Sequence, residues 1–228
     1  MLDFTEKKNG DGSLTSRVYA ALEKGILDGV YPDGSSLTEN KLSSELNVSR
    51  TPVREALFRL EQEGLVRIVH NKGAVVTGVS LADIRDIYTI RMQIEGLASR
   101  WAAERASDQQ IKRMHEIVDL EMFYASKTDI GQTRNLDSLF HSELYEASGS
   151  NPLRRTLSTY HSYIGRARER SFARGDRPVL AAKEHMGILD AIISKDGDLA
   201  EKLTREHISN ALSNLLKSID EGSAERTK

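Results

Sequence analysis

Residues 37–66, LTENKLSSELNVSRTPVREALFRLEQEGLV, carry the signals from which the fold is read. A short helix fits Glu39 to Leu46. A longer one follows, with Ser49 or Thr51 as its N-cap, Pro52 in its first turn and Gly64 just past its end, before Leu65. On the N-terminal side, Leu14 to Asp28 place Val18, Leu22 and Ile26 at helical spacing, and the segment ends in a breaker run, Gly29 to Gly34, that includes Pro32. On the C-terminal side, residues 65–79, LVRIVHNKGAVVTGV, are two β-branched runs separated by polar HNKG, the pattern of a hairpin. Beyond about residue 78 the chain reads as helical almost without relief, and that change marks a boundary.

A helix, a short helix, a longer helix and a hairpin, in that order, describe a winged helix-turn-helix, whose third helix enters the major groove of duplex DNA. The residues on that helix suit the task. Val53, Leu57 and Leu60 form its inner face, which leaves Arg50 and Arg54, four apart, on the outer side of the first turn, where side chains reach base edges. Ser49 and Thr51 can donate to phosphate oxygens, and Lys72 and Gly73 at the wing tip can approach the backbone or the minor groove. The competing reading of an arginine near Glu55 or Glu61 is a solvated surface charge. Bulk charge does not decide between the two: the chain has a net charge of -2, and residues 1–78 carry ten Lys plus Arg against eleven Asp plus Glu. Any DNA recognition must come from a few placed groups.

At 228 residues the chain has room for two domains, and 39% hydrophobic with 29% charged residues is the composition of a globular protein. No apolar run approaches the roughly 20 residues of a membrane-spanning helix, so no membrane partner is expected. Residues 1–13 lack the apolar stretch of a secretory signal and read as a flexible lead-in, so a cytoplasmic location is expected. Absence of cysteine excludes disulfides and thiolate metal sites, so a metal would need His, Asp or Glu.

The remainder, 79–220, divides at capping signals into six helices near 81–105, 108–126, 132–148, 152–172, 177–195 and 198–218, followed by a polar tail at 221–228. Ser80 with Asp83, Ser107 with Gln110 and Asp198 with Glu201 have capping-box spacing, and Gly149, Gly175 and Gly197 stand where helices should stop. The expected architecture is mainly α, a winged helix-turn-helix followed by an all-α antiparallel bundle.

Asp137 and His141, four apart, share one helix face, while His185 and His207 fall on two later helices. Each lies among apolar positions: Leu136, Phe140 and Leu144 beside the first pair, Ile188, Leu189 and Ile192 beside His185, and Ile208, Leu212 and Leu215 beside His207. A lone histidine is more often a satisfied core or surface residue, and His70, His115 and His161 are read that way. Four polar groups amid apolar faces need partners, and one shared ion would satisfy them together. Three imidazoles and a carboxylate suit one divalent transition metal, zinc foremost, with nickel, iron or manganese as alternatives to it, far better than calcium or magnesium. Arg91 stands on the stripe Ile84, Ile87, Tyr88, Ile94, Ala98 and Trp101. It is neutralised by Glu95 one turn on, or it forks onto the carboxylate of a ligand. Tyr163, Arg166 and Asn210 are weaker candidates for the same pocket.

The string at 37–66 resembles the signature of the GntR family of bacterial regulators over roughly residues 14–78, and residues 81–218 resemble the effector domain of its FadR-type branch in the six-helix, VanR-like FCD form. The resemblance implies that Arg50 and Arg54 read the operator with Thr51 and Gly73 in support. Asn40 stands where some members carry an arginine, so a weaker or different contact is expected there. It also implies that Asp137, His141, His185 and His207 are the metal ligands, that a small carboxylate metabolite binds over the metal, often with an arginine at the place of Arg91, and that the protein is a homodimer. The function expected is a metabolite-responsive repressor of a palindromic operator. A metal-dependent hydrolase or isomerase carrying a DNA-binding head is the alternative, and a third reading makes the metal itself the signal.

Overall fold

A computed structural model of the chain describes residues 13–69, 73–172 and 175–225. It divides into two compact units, the chain passing from one to the other between Leu81 and Ala82.

In the first unit, α1 (Leu14–Leu27) is capped by Ser13, whose side chain accepts from the Ser16 amide, and buries Val18, Leu22 and Ile26. Then come β1 (Ser36–Leu37), α2 (Glu39–Leu46) and α3 (Arg50–Gln62). Thr38 caps α2 by accepting from the Lys41 amide, and Asn47, at φ 51°, ends it in the left-handed region. Four residues after the end of α2, α3 packs against both α1 and α2 through Val53, Ala56, Leu57 and Leu60. Strands β2 (Val66–Val69) and β3 (Gly73–Val76) form the expected hairpin. β1 adds to it, giving an antiparallel sheet in the order β1-β3-β2 with Leu37 opposite Ala74 and Val69 opposite Gly73. The third strand was not expected, because its two residues follow a breaker run and are specified only by pairing with β3.

Gly73 is required by that sheet. It sits at φ +84°, and a Cβ there would meet the Leu37 carbonyl oxygen at 2.4 Å, so the position needs glycine whatever it does with DNA.

The second unit consists of α4 (Leu81–Arg105), α5 (Asp108–Ser126), α6 (Ile130–Ala147), α7 (Asn151–Tyr163), α8 (Gly165–Phe172), α9 (Arg177–Ile193) and α10 (Gly197–Glu225). Ser107 and Gln110 make the expected capping box. Three expectations are corrected. The single helix expected over 152–172 is two: Ile164, itself buried, closes α7, and α8 starts at Gly165. The box expected of Asp198 and Glu201 does not form. Asp196 accepts from the Leu199 amide at 3.0 Å, while Asp198 and Glu201 both bind the Arg100 guanidinium. The last helix, expected to end near 218, runs on to Glu225 and so takes in much of the polar tail, Gly222 included.

The core joins α4, α5, α6 and α9 through Ala98, Met114, Val118, Phe140, Leu144, Ile188 and Leu189, all essentially excluded from solvent. Burying each large side chain contributes about 1.5–3 kcal/mol. That apolar framework offsets the cost of the polar cluster it surrounds.

Candidate metal centre and nucleic-acid interface

The helical phases of α6, α9 and α10 bring Asp137, His141, His185 and His207 to one place. Each is at most 3% exposed, and one ligand atom from each can be chosen so that all lie within 4.8 Å of one another. The three Nε2 atoms converge, with His207 Nε2 lying 3.3 Å from both His185 Nε2 and His141 Nε2. On the far side of each ring a carboxylate faces Nδ1: Glu121 Oε2 is bonded to it at 2.7 Å in His185 and Glu184 Oε2 at 2.7 Å in His207, while Glu95 Oε2 lies 3.0 Å from it in His141, close enough for an ion pair but without hydrogen-bond geometry. A carboxylate at Nδ1 favours the tautomer with the proton there, which turns three lone pairs toward one point. Such an arrangement repels itself until a cation or a proton lies among the nitrogens.

Burial holds His141 and His207 below the usual imidazole range, opposed at His141 by Glu95 and reinforced at His207 by the neighbouring His185 and His141. Neutral imidazoles are the form a metal requires. Asp137 turns Oδ1 toward His185 Nε2, 3.9 Å away, and its Oδ2 contacts the guanidinium of Arg168. Residues, tautomers and charge fit a divalent transition ion.

Asp137, His141 and His207, but not His185, line a small cavity of about 10 Å³ together with Tyr88, Arg91, Arg168, Ser171 and Arg177. The buried Tyr88 Oη and Arg177 Nε find no hydrogen-bond partner among the described residues. Arg177 clamps Glu184 with two bonds of 2.9 and 2.8 Å, and both residues also line a wider groove of about 750 Å³ with Asn210, Asn214 and Lys217.

Arg91 is buried and its guanidinium is bonded to Glu95, the first of its two expected readings; it also lines the cavity. Arg166 is exposed on α8, whereas Arg168, two residues on, is buried. Asn210 is exposed, lines the groove and donates to Glu184 at 2.8 Å, and Tyr163, at the end of α7, is not among the cavity-lining residues. Glu121, Glu184, Arg168, Arg177 and His161 were not read from the sequence as parts of the site. His161, taken as unremarkable, contacts Arg168 and packs 5.4 Å from the His141 ring. Glu121 had a signal, since it interrupts the apolar series Met114, Val118 and Ala125 at helical spacing.

On the first unit, Ser49, Arg50, Thr51, Arg54 and Asn40 are exposed at the starts of α3 and α2, and Ser49 stands at the N-cap of α3 without a side-chain capping bond. Lys72 lies outside the described residues. Neither Glu55 nor Glu61 neutralises the arginines: Glu55 accepts from Thr15 and Glu61 from the Ile68 amide. Glu39 at the first turn of α2 pairs with both instead, one negative charge against two positive ones. Arg54 donates Nε to Oε1 and Nη2 to Oε2, both at 2.7 Å, and Arg50 reaches Oε2 through Nε and Nη2 at 3.3 Å. The Arg54 bonds are the largest influence on the Glu39 carboxyl, which lies below its ordinary range.

A winged helix-turn-helix followed by a separate helical unit defines a class, the two-part bacterial transcription regulators. The pattern described as "Bacterial regulatory proteins, gntR family" matches residues 14–76, and that of the "FCD domain" matches residues 86–210. The chain belongs to the GntR family. It is 27% identical over 195 residues to the HTH-type transcriptional repressor RspR of Escherichia coli (strain K12), covering 86% of each chain. It is 30% identical over 189 residues to the Nta operon transcriptional regulator of Aminobacter aminovorans, covering 83% of this chain and 88% of that one. Among solved structures it resembles E. coli McbR/YncC, with a TM-score of 0.73 and 23% identity over 92% of this chain and all of the other, a likeness of fold. The protein is a DNA-binding transcription regulator. The relatives are regulators and not enzymes, so the reading as a hydrolase or isomerase falls away. None of the described helices is long and apolar enough to cross a membrane.

Proposed function

We propose that the protein is a homodimeric, metabolite-responsive repressor in which Asp137, His141, His185 and His207 hold one divalent transition ion, zinc foremost, and a small carboxylate effector binds beside it. A bound ion supplies a Lewis-acidic anchor for a carboxylate oxygen. Glu95, Glu121 and Glu184 orient the three imidazoles, and Arg168 holds Asp137 with one oxygen toward them. Arg91 and Arg177 offer guanidinium donors, and Tyr88 Oη a hydroxyl, to the effector's remaining polar atoms. The cavity has room for about one water, so the effector must enlarge it, and the groove beyond Arg177 and Glu184 is the open side from which to do so. That demand couples ligand to conformation: only a compound with different affinity for two arrangements of the domain shifts DNA binding. On the first unit, Arg50 and Arg54 read base edges, supported by Thr51 and Ser49, with Asn40 and the wing around Lys72 and Gly73 on the backbone.

The observation that carries this reading is the convergence of three Nε2 atoms, each backed by a carboxylate at Nδ1. Elemental analysis of protein purified without added metal tests it. About one transition ion per chain, lost in His185→Ala, is expected; a metal-free protein of unchanged stability, or full metal in the variant, overturns the metal assignment.

A further inference from the structure

The Glu39 clamp on α2 has no part in the recognition just described, and it sits on the two side chains assigned to base reading. An exposed ion pair ordinarily contributes little. This one differs in geometry. Both carboxylate oxygens engage Arg54, one of them also engages Arg50, and the Glu39 side chain is only 22% exposed against 64% for Arg54. The contacts hold the two arginines side by side across the gap between α2 and α3.

We infer that Glu39 is a specificity-determining residue, a carboxylate that removes one of the two positive charges of the Arg50 and Arg54 pair and so shifts their preference from phosphate toward the uncharged base edge. The inference rests on the base-reading role given to these arginines under the proposed function. A guanidinium carries five N–H donors, and the bonds of Arg54 to Glu39 use one on Nε and one on Nη2. The others remain for the paired acceptors O6 and N7 of guanine, which bring no charge and leave the ion pair whole. A phosphate in the same place brings a negative charge against Glu39. It must either displace the carboxylate or bear its repulsion. Non-specific binding consists almost wholly of phosphate contacts, so Glu39 weakens it more than it weakens the specific complex.

The experiment uses the full-length protein and Glu39→Gln, which keeps size and one acceptor but removes the charge. The probes are a consensus duplex selected by the wild-type protein from a random-sequence pool and a scrambled duplex of the same composition, read by fluorescence anisotropy at several salt concentrations. Glu39→Gln is expected to tighten binding to the scrambled duplex about fivefold, the worth of a good surface ion pair, and binding to the consensus by less than about twofold. The slope of log Kd against log salt on the scrambled duplex should steepen by about one, the signature of an added phosphate contact. An unchanged ratio between the two duplexes, whether both affinities stay or both move together, overturns the inference if Arg54→Ala still weakens the consensus selectively. Equal losses on both duplexes for Arg54→Ala overturn the base-reading role, and the inference with it. A melting curve of Glu39→Gln that matches wild type assigns any change in the ratio to recognition rather than to loss of α2.

Discussion

Arg54 and Arg91 are both arginines paired with a glutamate, and their surroundings give the pairs opposite meanings. Arg54 is exposed, so its replacement should leave the fold alone and act on DNA: Arg54→Ala is expected to weaken binding to a selected operator by about 5- to 150-fold, the worth of a bidentate base contact, with an unchanged melting temperature. Anisotropy titration checks the first part and a thermal melt the second. Arg91 and Glu95 are both buried, and Glu95 in turn contacts His141. Arg91→Ala strands a buried carboxylate, and a loss of about 3–5 kcal/mol in unfolding free energy is expected from urea titration. An Arg91→Ala protein as stable as wild type would show that the pair does not hold the domain. The sequence made the position of Arg91 conspicuous, since a guanidinium interrupts an apolar stripe. It could not distinguish a ligand anchor from an internal ion pair, because both require the same residue on the same face.

Among elements, legibility followed the range of the signal. The helices α2 and α3 announce themselves in neighbouring residues, with Thr38 and Asn47 at the ends of one and Pro52 and Gly64 at the ends of the other, and the sheet's hairpin likewise. β1 is set by a distant partner, β3, and no local residue marks it, while the division of α7 from α8 is marked only by Gly165, a single glycine inside an otherwise helical stretch. The buried cluster of three histidines and an aspartate was visible because histidine is scarce and Asp137 and His141 share a helix face. The three supporting glutamates were not, since Glu is common and only tertiary structure sets it behind a ring. The wing supplies a test at this scale. Gly73→Ala would press a Cβ against the Leu37 carbonyl at a positive φ, and a loss of about 1–3 kcal/mol is expected in chemical unfolding. Full stability with weakened DNA binding would instead assign Gly73 to contact with DNA. For the supporting carboxylates, Glu121→Gln is expected to lower metal affinity about 10- to 100-fold by competition with a chromogenic chelator, and unchanged affinity would reduce Glu121 to a packing partner.

For the molecule as a whole, acid should act on stability and metal in the same direction. His141 and His207 titrate lower in the folded state than the ordinary 6.5, so below that value the unfolded chain binds more protons than the folded one. Stability is therefore fully present above about pH 6.5 and is lost as pH falls from there toward the folded values. Metal requires the same neutral rings, so its occupancy should fall over the same interval. Thermal melts of metal-loaded and chelated protein at pH 8.0, 6.5 and 5.0 check this. Both should weaken toward pH 5.0, and the difference between them should shrink. A difference that is constant across the series would place the ion elsewhere.

The break between α7 and α8 sets apart an eight-residue helix that lends Arg168, Ser171 and Phe172 to the cavity, whereas the four proposed ligands stand on α6, α9 and α10. Chemistry and selectivity are thereby written on different parts of the chain. Under the proposed function, substitutions at Ser171 and Phe172 would reshape what the cavity accepts and leave the ligands' own helices as they were, whereas Arg168, which contacts Asp137, belongs to both parts. A lineage could thus exchange one effector for another by revising a single short segment around that fixed arginine.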